Sequence, residues 1–361
     1  MISKSFFESL EAIAFERGLE IERILEKVEI AMQVACKNSD CPYKGTVTLE
    51  SDFEKKKIRF FNHQYVVEEI DQEGPRGQIT LEEAKLIKAK AKIGQEFKEE
   101  IKLESFKRKA ASMFKQNLLN ELKGLEREEA FDFFNDKVGE IVSARVLAKH
   151  DNYVAFSLGK GIDATMSYRD ALPGEEFNVG EEKKVYLSKV EKTTKGPKVF
   201  ISRSNKEIVK KLFEMYIPEI SNGLIEIMGI SREPGSRTKI GVLSVNGDID
   251  PKGACVGNGG SRIKAINDIL NGEKIDIFVW RNNPVDLIAE ALSPAKVVSV
   301  MPDEKEKRAV VIANDEQFSL AIGRNGQNAK LAAFATGWKI DIKKLSEAYT
   351  EGIDFRYNVN C

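Results

Sequence analysis

The chain has 361 residues, 42% of them apolar and 31% charged, with a formal net charge of −1. That length exceeds one ordinary hydrophobic core and predicts roughly two to four domains, while the near-zero charge argues against nucleic-acid binding by bulk positive field. No window approaches the roughly 20 apolar residues of a membrane span, and Met1-Ile2-Ser3-Lys4-Ser5-Phe6-Phe7-Glu8 lacks a signal peptide's apolar core, so a cytoplasmic protein with no membrane partner is expected.

Residues 5–37 read as helix, because Phe6, Phe7, Leu10, Ile13 and Ala14, then Ile21, Ile24, Leu25, Val28, Ala31, Met32 and Ala35 recur at three-and-four spacing. Gly18 separates two helices or marks a bend, and Asn38-Ser39-Asp40 with Pro42 closes the segment. The period then changes to two, which predicts strands at 46–49 and 58–67. Gly74-Pro75-Arg76-Gly77 reads as a turn, and Thr80-Leu81-Glu82-Glu83 as a capping box. A long helix over 104–135 carries Phe106, Ala110, Met113, Phe114, Leu118, Leu122 and Leu125 on one side. Lys107, Arg108, Lys109, Lys115, Lys123 and Arg127 form a basic side that reads first as solvated surface. Residues 1–137 carry a net charge of −3 and form an α+β domain whose patterns alone reveal no activity.

Residues 138–203, net +2, predict five short strands at 140–147, 153–158, 162–166, 184–190 and 198–202, as in a small OB-fold β-barrel of S1 type. Val154, Phe156 and Leu158 alternate to the core face, which leaves Tyr153 on the other face as a candidate stacking platform for single-stranded RNA.

Residues 204–343, net +1, contain a repeat. Cys255-Val256-Gly257-Asn258-Gly259-Gly260-Ser261-Arg262-Ile263 is answered 66 residues later by Ala321-Ile322-Gly323-Arg324-Asn325-Gly326-Gln327-Asn328-Ala329. Lys274-Ile275-Asp276-Ile277 is answered by Lys339-Ile340-Asp341-Ile342. Around each copy the predicted order is that of a prokaryotic-type (type II) KH domain. The first has helix 206–220, strands 224–230 and 238–244, a helix from Asp250-Pro251, the loop, a second helix and strand 275–280; the second repeats it from helix 284–291. A Gly-x-x-Gly between helices lets bare main chain approach a sugar-phosphate backbone, and the next helix's N-terminus favours an anion. KH domains clamp single-stranded RNA this way. A single Gly-x-x-Gly is weak evidence; a duplicated one with a trailing strand is strong. The candidate RNA-binding residues are Gly257, Asn258, Gly259, Gly260, Arg262, Lys264 and Lys252 in the first copy, and Gly323, Arg324, Asn325, Gly326, Gln327, Asn328 and Lys330 in the second. Trp280 and Trp338 read as core. Only four residues, Arg281-Asn282-Asn283-Pro284, join the copies, so the pair is expected to pack as one body with a continuous RNA track; residues 345–361 show no period and read as a loose tail.

With that domain order on the page, the longer strings resemble the NusA family of bacterial transcription elongation, termination and antitermination factors. They are Lys192-Thr193-Thr194-Lys195-Gly196-Pro197 and Ile201-Ser202-Arg203-Ser204, Arg232-Glu233-Pro234-Gly235-Ser236-Arg237-Thr238-Lys239, Asp250-Pro251-Lys252-Gly253-Ala254-Cys255-Val256-Gly257, Ala291-Leu292-Ser293-Pro294-Ala295, Leu320 through Ala332, and Thr336-Gly337-Trp338-Lys339-Ile340-Asp341-Ile342. The resemblance implies a non-enzymatic, multidomain α+β regulator. Its domain at 1–137 docks on core RNA polymerase, its S1/OB barrel at 138–203 and KH domains at 204–281 and 282–344 hold nascent single-stranded RNA, and it works as a monomer with other Nus factors. Two departures stand out. The first loop has Gly259 where the family usually places an arginine, leaving Arg262 and Lys264 as the nearest replacements. The residues after 344 leave no room for the acidic C-terminal repeats of some members.

Catalytic readings fail at the level of motif. There is no P-loop and no strand–Gly-x-Gly-x-x-Gly–helix unit, and His63 and His150 stand in no nucleophile or metal constellation. Cys36, Cys41, Cys255 and Cys361 form no C-x-x-C pair and have no zinc-ligand spacing, so neither cofactor nor metal is expected. The alternatives are a ribosome-associated or an RNA-degradation accessory protein with KH and S1 modules. An exoribonuclease of the polynucleotide phosphorylase kind would need a catalytic core that residues 1–137 cannot supply.

Overall fold

The computed structural model describes residues 4–37, 41, 43–71, 77–102, 106 and 108–359. Asn38, Ser39, Asp40, Pro42, Gly74, Pro75, Arg76, Lys107 and Cys361, each named above, lie outside the described residues. The chain divides into two units, Met1–Phe133 with Thr194–Pro197, and Phe134–Thr193 with Lys198–Cys361.

In the first unit, helices α1 (Lys4–Arg17) and α2 (Ile21–Cys36) are parted at Gly18, whose φ of +64° suits glycine. Strands β1 (Thr46–Asp52) and β2 (Lys57–Val67) form an antiparallel pair, β3 (Gln78–Thr80) joins β2 in parallel, and helix α3 (Leu81–Ile87) follows. The Thr80 capping box closes as its spacing predicts: Glu83 N–H donates to the Thr80 hydroxyl at 3.3 Å, and Thr80 N–H to the Glu83 carboxylate at 3.5 Å. A strand with no sequence signal, β4 (Glu96–Glu100), pairs with β2; its residues are Glu-Phe-Lys-Glu-Glu, so only a partner strand makes it extended. Helix α4 (Arg108–Asn135) lays Leu118, Leu122 and Leu125 into a core with Phe7, Ile24 and Phe60. Arg23 ties α2 to α4 through Glu128 and Glu129, and Arg17 pairs with Glu126.

The second unit opens with strands β5 (Ile141–Lys149), β6 (Tyr153–Ser157), β7 (Asp163–Ser167), β8 (Glu182–Thr193) and β9 (Gly196–Ser202), in the sheet order β7-β6-β5-β8-β9. This sheet curls into a nearly closed barrel of S1/OB type. Val154 and Phe156 point inward with no exposure, and Phe156 meets Phe177 edge to face at 5.9 Å.

Two domains of one topology follow. The first has helices α5 (Glu207–Tyr216) and α6 (Pro218–Ser221), strands β10 (Ile225–Glu233) and β11 (Arg237–Ser244), helices α7 (Pro251–Val256) and α8 (Ser261–Ile269), and strand β12 (Lys274–Val279). The second has helix α9 (Pro284–Ala291), strands β13 (Val297–Asp303) and β14 (Arg308–Ala313), helices α10 (Asp315–Ile322) and α11 (Gln327–Thr336), and strand β15 (Lys339–Lys344). In each, the second strand pairs antiparallel with the first and parallel with the third. Residues 345–359 correct one expectation. They are not a loose tail: helix α12 (Leu345–Thr350) and the residues after it pack on β13 and β14, because Leu345, Ala348, Ile353 and Phe355 find an apolar sheet face there.

One buried arginine, Arg203, fixes the barrel to the first KH domain, and a second, Arg232, braces that KH domain from within. Arg203 holds Glu175 in a two-point ion pair, at 2.7 and 2.6 Å, with both side chains 1% exposed; its remaining donors reach the carbonyls of Lys184 and of Ile269 on α8. Arg232 grips Glu273 in the same way and donates to Asn205 C=O at 2.6 Å, while Glu273 also accepts from Gly235 N–H and the Thr238 hydroxyl.

The KH domains meet where α11 lies on β10 and β11. A Cβ on Gly229 would stand 2.1 Å from Ala335 O, so only glycine permits this approach, while one on Gly241 would stand 2.7 Å from the Phe278 ring on the neighbouring strand. Lys239 is buried in the seam, where its ammonium donates to Ser293 C=O at 2.9 Å and stands 3.7 Å from Asp276. Burial pulls its pKa down to about 8, with Asp276 opposing the shift.

Two outcomes follow for stability. Arg203→Met leaves the buried Glu175 without its hydrogen-bonded partner, with only Lys183 at 3.7 Å beside it, and is expected to lower unfolding free energy by about 3 kcal/mol in urea titration, most of it recovered in Arg203→Met with Glu175→Leu. For Lys239 the folded pKa lies below the unfolded value, so its unfavourable contribution is complete below pH 8 and fades towards the ordinary lysine value. The urea midpoint of the wild type should therefore rise relative to Lys239→Met between pH 8 and 10.

Candidate nucleic-acid interface

The repeated loops fold to one backbone. Gly257 has φ/ψ of 74°/173° and Gly323 75°/174°; Gly259 has 59°/22° and Asn325 52°/29°; Gly260 has 75°/16° and Gly326 75°/12°. All six lie at positive φ, where glycine is unstrained and asparagine is the best tolerated alternative. The last glycine of each loop is the N-cap of the next helix, α8 or α11, so the loop delivers its main chain to a helix N-terminus. At Gly257 and Gly323 a Cβ would come within 2.8 Å of Arg262 and Asn328 respectively. The outer residues Asn258, Gly259, Arg324 and Asn325 are exposed.

Three candidates have hydrogen-bonding groups engaged with the protein itself. Arg262, expected to replace a loop cation, instead donates to Glu219 at 2.8 Å and to Ala254 C=O at 2.6 Å, bracing α7 and α6 from beneath the loop. Asn328 is 2% exposed, and its amide bonds the carbonyls of Leu292 and Ala321 at 2.9 and 3.0 Å. Its place directly under Gly323 makes it a fastener of the loop rather than a surface group. Gln327 donates across the seam to Glu233 at 2.7 Å and to the Ser236 hydroxyl at 2.8 Å. Lys252, Lys264 and Lys330 remain exposed, while Cys255 is buried below the first loop, where burial pushes its thiol up to about 12.

Two clefts adjoin the loops. One of about 540 Å³ is lined by Arg324, Asn325, Gln327 and Lys330 of the second loop and by Glu233, Ser236, Arg237 and Lys274 of the first domain. Four cations face it against one carboxylate. The other, about 280 Å³, is lined by Val256, Ile263, Ile275 and Ile277 with Lys239, Lys252 and Asp276, and is closed by Ser293 and Pro294. The first combines charge suited to phosphates, and the second an apolar floor suited to a base. Sequence reading missed Arg237 and Lys274 as loop partners, since nothing local to either strand signals a loop from the next domain. Tyr153, 38% exposed, stacks on His150 at 4.5 Å and lines neither cleft. Among the described residues no group of three or more His, Cys, Asp or Glu is placed to hold a metal, and no helix is long and apolar enough to cross a membrane.

Comparison with known proteins agrees with this architecture. Residues 5–128 match the NusA N-terminal domain, 203–280 the NusA-like first KH domain and 284–350 the NusA-like second KH domain. The chain is 39% identical over 352 residues to a transcription termination/antitermination protein NusA of Bacillus subtilis, with 98% of this chain and 94% of that one covered. It is 39% identical to the protein of that name from Halalkalibacterium halodurans, covering 98% and 91%, and 35% identical to that from Thermus thermophilus, covering 96% and 93%. Similarity of this depth across both units, with the doubled Gly-x-x-Gly fold at its centre, places the chain in the NusA family.

Proposed function

We propose that this protein is a non-catalytic transcription factor that docks on core RNA polymerase through residues 1–137 and holds nascent single-stranded RNA on its barrel (138–203) and KH pair (204–281 and 282–344), thereby modulating pausing, termination and antitermination. The relatives' name as termination/antitermination proteins supports the process. The observation that carries RNA binding is the pair of loops with one backbone conformation, both open outward, the second beside a cleft of four cations. The two loops divide the work unequally. Arg324 and Lys330 give the second a charged grip, whereas the first offers Asn258 and Gly259 with Lys252 and Lys264 at its flanks. The 280 Å³ cleft seats a base beside the first loop, and the strand continues past Lys274 and Arg237 to the second. A monomer acting with other Nus factors fits this reading.

Gly326→Asp sets a carboxylate against the phosphate site and adds about 1–2 kcal/mol of backbone strain, so single-stranded RNA binding should weaken roughly tenfold or more while the protein stays folded. Arg324→Ala should lower the salt slope of log Kd by about 0.7, and Asn258→Ala should leave it unchanged. A folded Gly326→Asp protein with wild-type RNA affinity would remove the clamp. In single-round transcription across a hairpin pause, the intact chain should change pause lifetime and Gly326→Asp should do so less. Photo-crosslinks from the full chain to polymerase should map to residues below 138; crosslinks confined to the KH pair, or to ribosomes alone, would overturn the docking assignment.

A further inference from the structure

The two KH sheets share topology and register, so their outer faces compare residue by residue. Arg237 pairs with Lys274 at the start of β11–β12, and Arg308 with Lys339 at the start of β14–β15, which makes Gly241 and Ile312 equivalent. On the first sheet this face receives the second KH domain, whose core takes in Phe278 and Trp280. On the second sheet, Val298, Met301, Val310 and Ile312 are met by Leu345, Ala348, Ile353 and Phe355. The first face carries Gly241, which leaves room for the Phe278 and Trp280 rings; the second carries Ile312, which packs under residues 345–355.

That segment also reaches the sheet's open edge. β13 is an outer strand, and the Asn358 side-chain amide accepts from Val300 N–H at 3.0 Å and donates to Val300 C=O at 2.7 Å, as a neighbouring strand would. We infer that residues 345–359 cap the outer face and free edge of the second KH sheet, in the place the second KH domain takes on the first, and thereby keep the chain from pairing with a second copy of itself. An apolar sheet face beside an unpaired strand is a template for association, and a second uncapped copy presents the same face about a two-fold axis. The cap is lightly held. Of residues 345–359 only Ala348 is fully buried, and the polar ties among the described residues are few, Ser346 N–H to Asp315 at 3.1 Å, Glu351 to Lys343 and Asn358 to Val300, so the segment belongs to the more readily opened part of the fold.

Light scattering after size exclusion tests this with the full chain and with a chain stopped after Lys344. The full chain should be monomeric and the shortened chain a concentration-dependent dimer, returned to monomer by Ile312→Lys. A shortened chain that is folded and monomeric overturns the inference, and so does a full chain that already dimerises. Asn358→Ala is the milder variant and guards against misfolding of the shortened chain. Loss of its two hydrogen bonds should speed amide exchange over residues 345–353 roughly tenfold, with the β14 amides unchanged. Unaltered exchange in that variant overturns the inference independently.

Discussion

The close seating of α11 on β10 and β11 is the constraint from which the interface follows. It exists because Gly229 carries no side chain: any Cβ there would overlap the carbonyl of Ala335, and Gly241 leaves room for the Phe278 and Trp280 rings that enter the second domain's core. With the helix seated, Gln327 reaches Glu233 and Ser236, and the second Gly-x-x-Gly loop comes to rest beside Arg237 and Lys274. The cationic cleft therefore belongs to neither KH domain alone. Two cations come from a loop and its helix, and two from the strands of the preceding domain.

The same unit is stiffened where barrel meets KH domain, by means that add orientation more than stability. Two charges buried as an ion pair seldom stabilise more than an apolar pair of equal volume would, because desolvation offsets their attraction. Arg203, however, has further donors, and these reach the main-chain carbonyls of Lys184 in the barrel and Ile269 in the first KH domain. A planar guanidinium holding both a carboxylate and a peptide carbonyl admits one arrangement of the segments around it. The barrel is thereby set at a fixed angle to the first loop.

The two loops show how one backbone serves two chemistries. Their torsions agree to within a few degrees, yet the third position is Gly259 in one and Asn325 in the other. A positive φ near 55° explains both choices, since these are the residues that occupy it at least cost. A glycine at this third position relieves backbone strain and supplies no charge of its own. Arg262 does not supply it either. Its guanidinium is held beneath the loop by Glu219 and Ala254, where it supports the conformation that Gly257 makes possible.

Local chemistry, read along the chain, was enough for most of the element order, the repeat and the capped helix at Thr80. Each of these depends on residues within a few positions of one another: the period of apolar side chains, a cap, or a glycine that accepts positive φ. Tertiary structure alone decided what those elements face. β4 has no strand signal of its own and is extended only because β2 lies beside it. Residues 345–359 have no period because they conform to a sheet face already built, which is why they read as a tail and fold as a cover. Asn328 and Arg262 have the composition of ligand-binding groups, but their hydrogen bonds go inward to carbonyls and a carboxylate brought near by packing. Arg237 and Lys274 join the site for the converse reason. Which charge meets which loop is settled by the distance between domains in space, and no pattern within either strand encodes it.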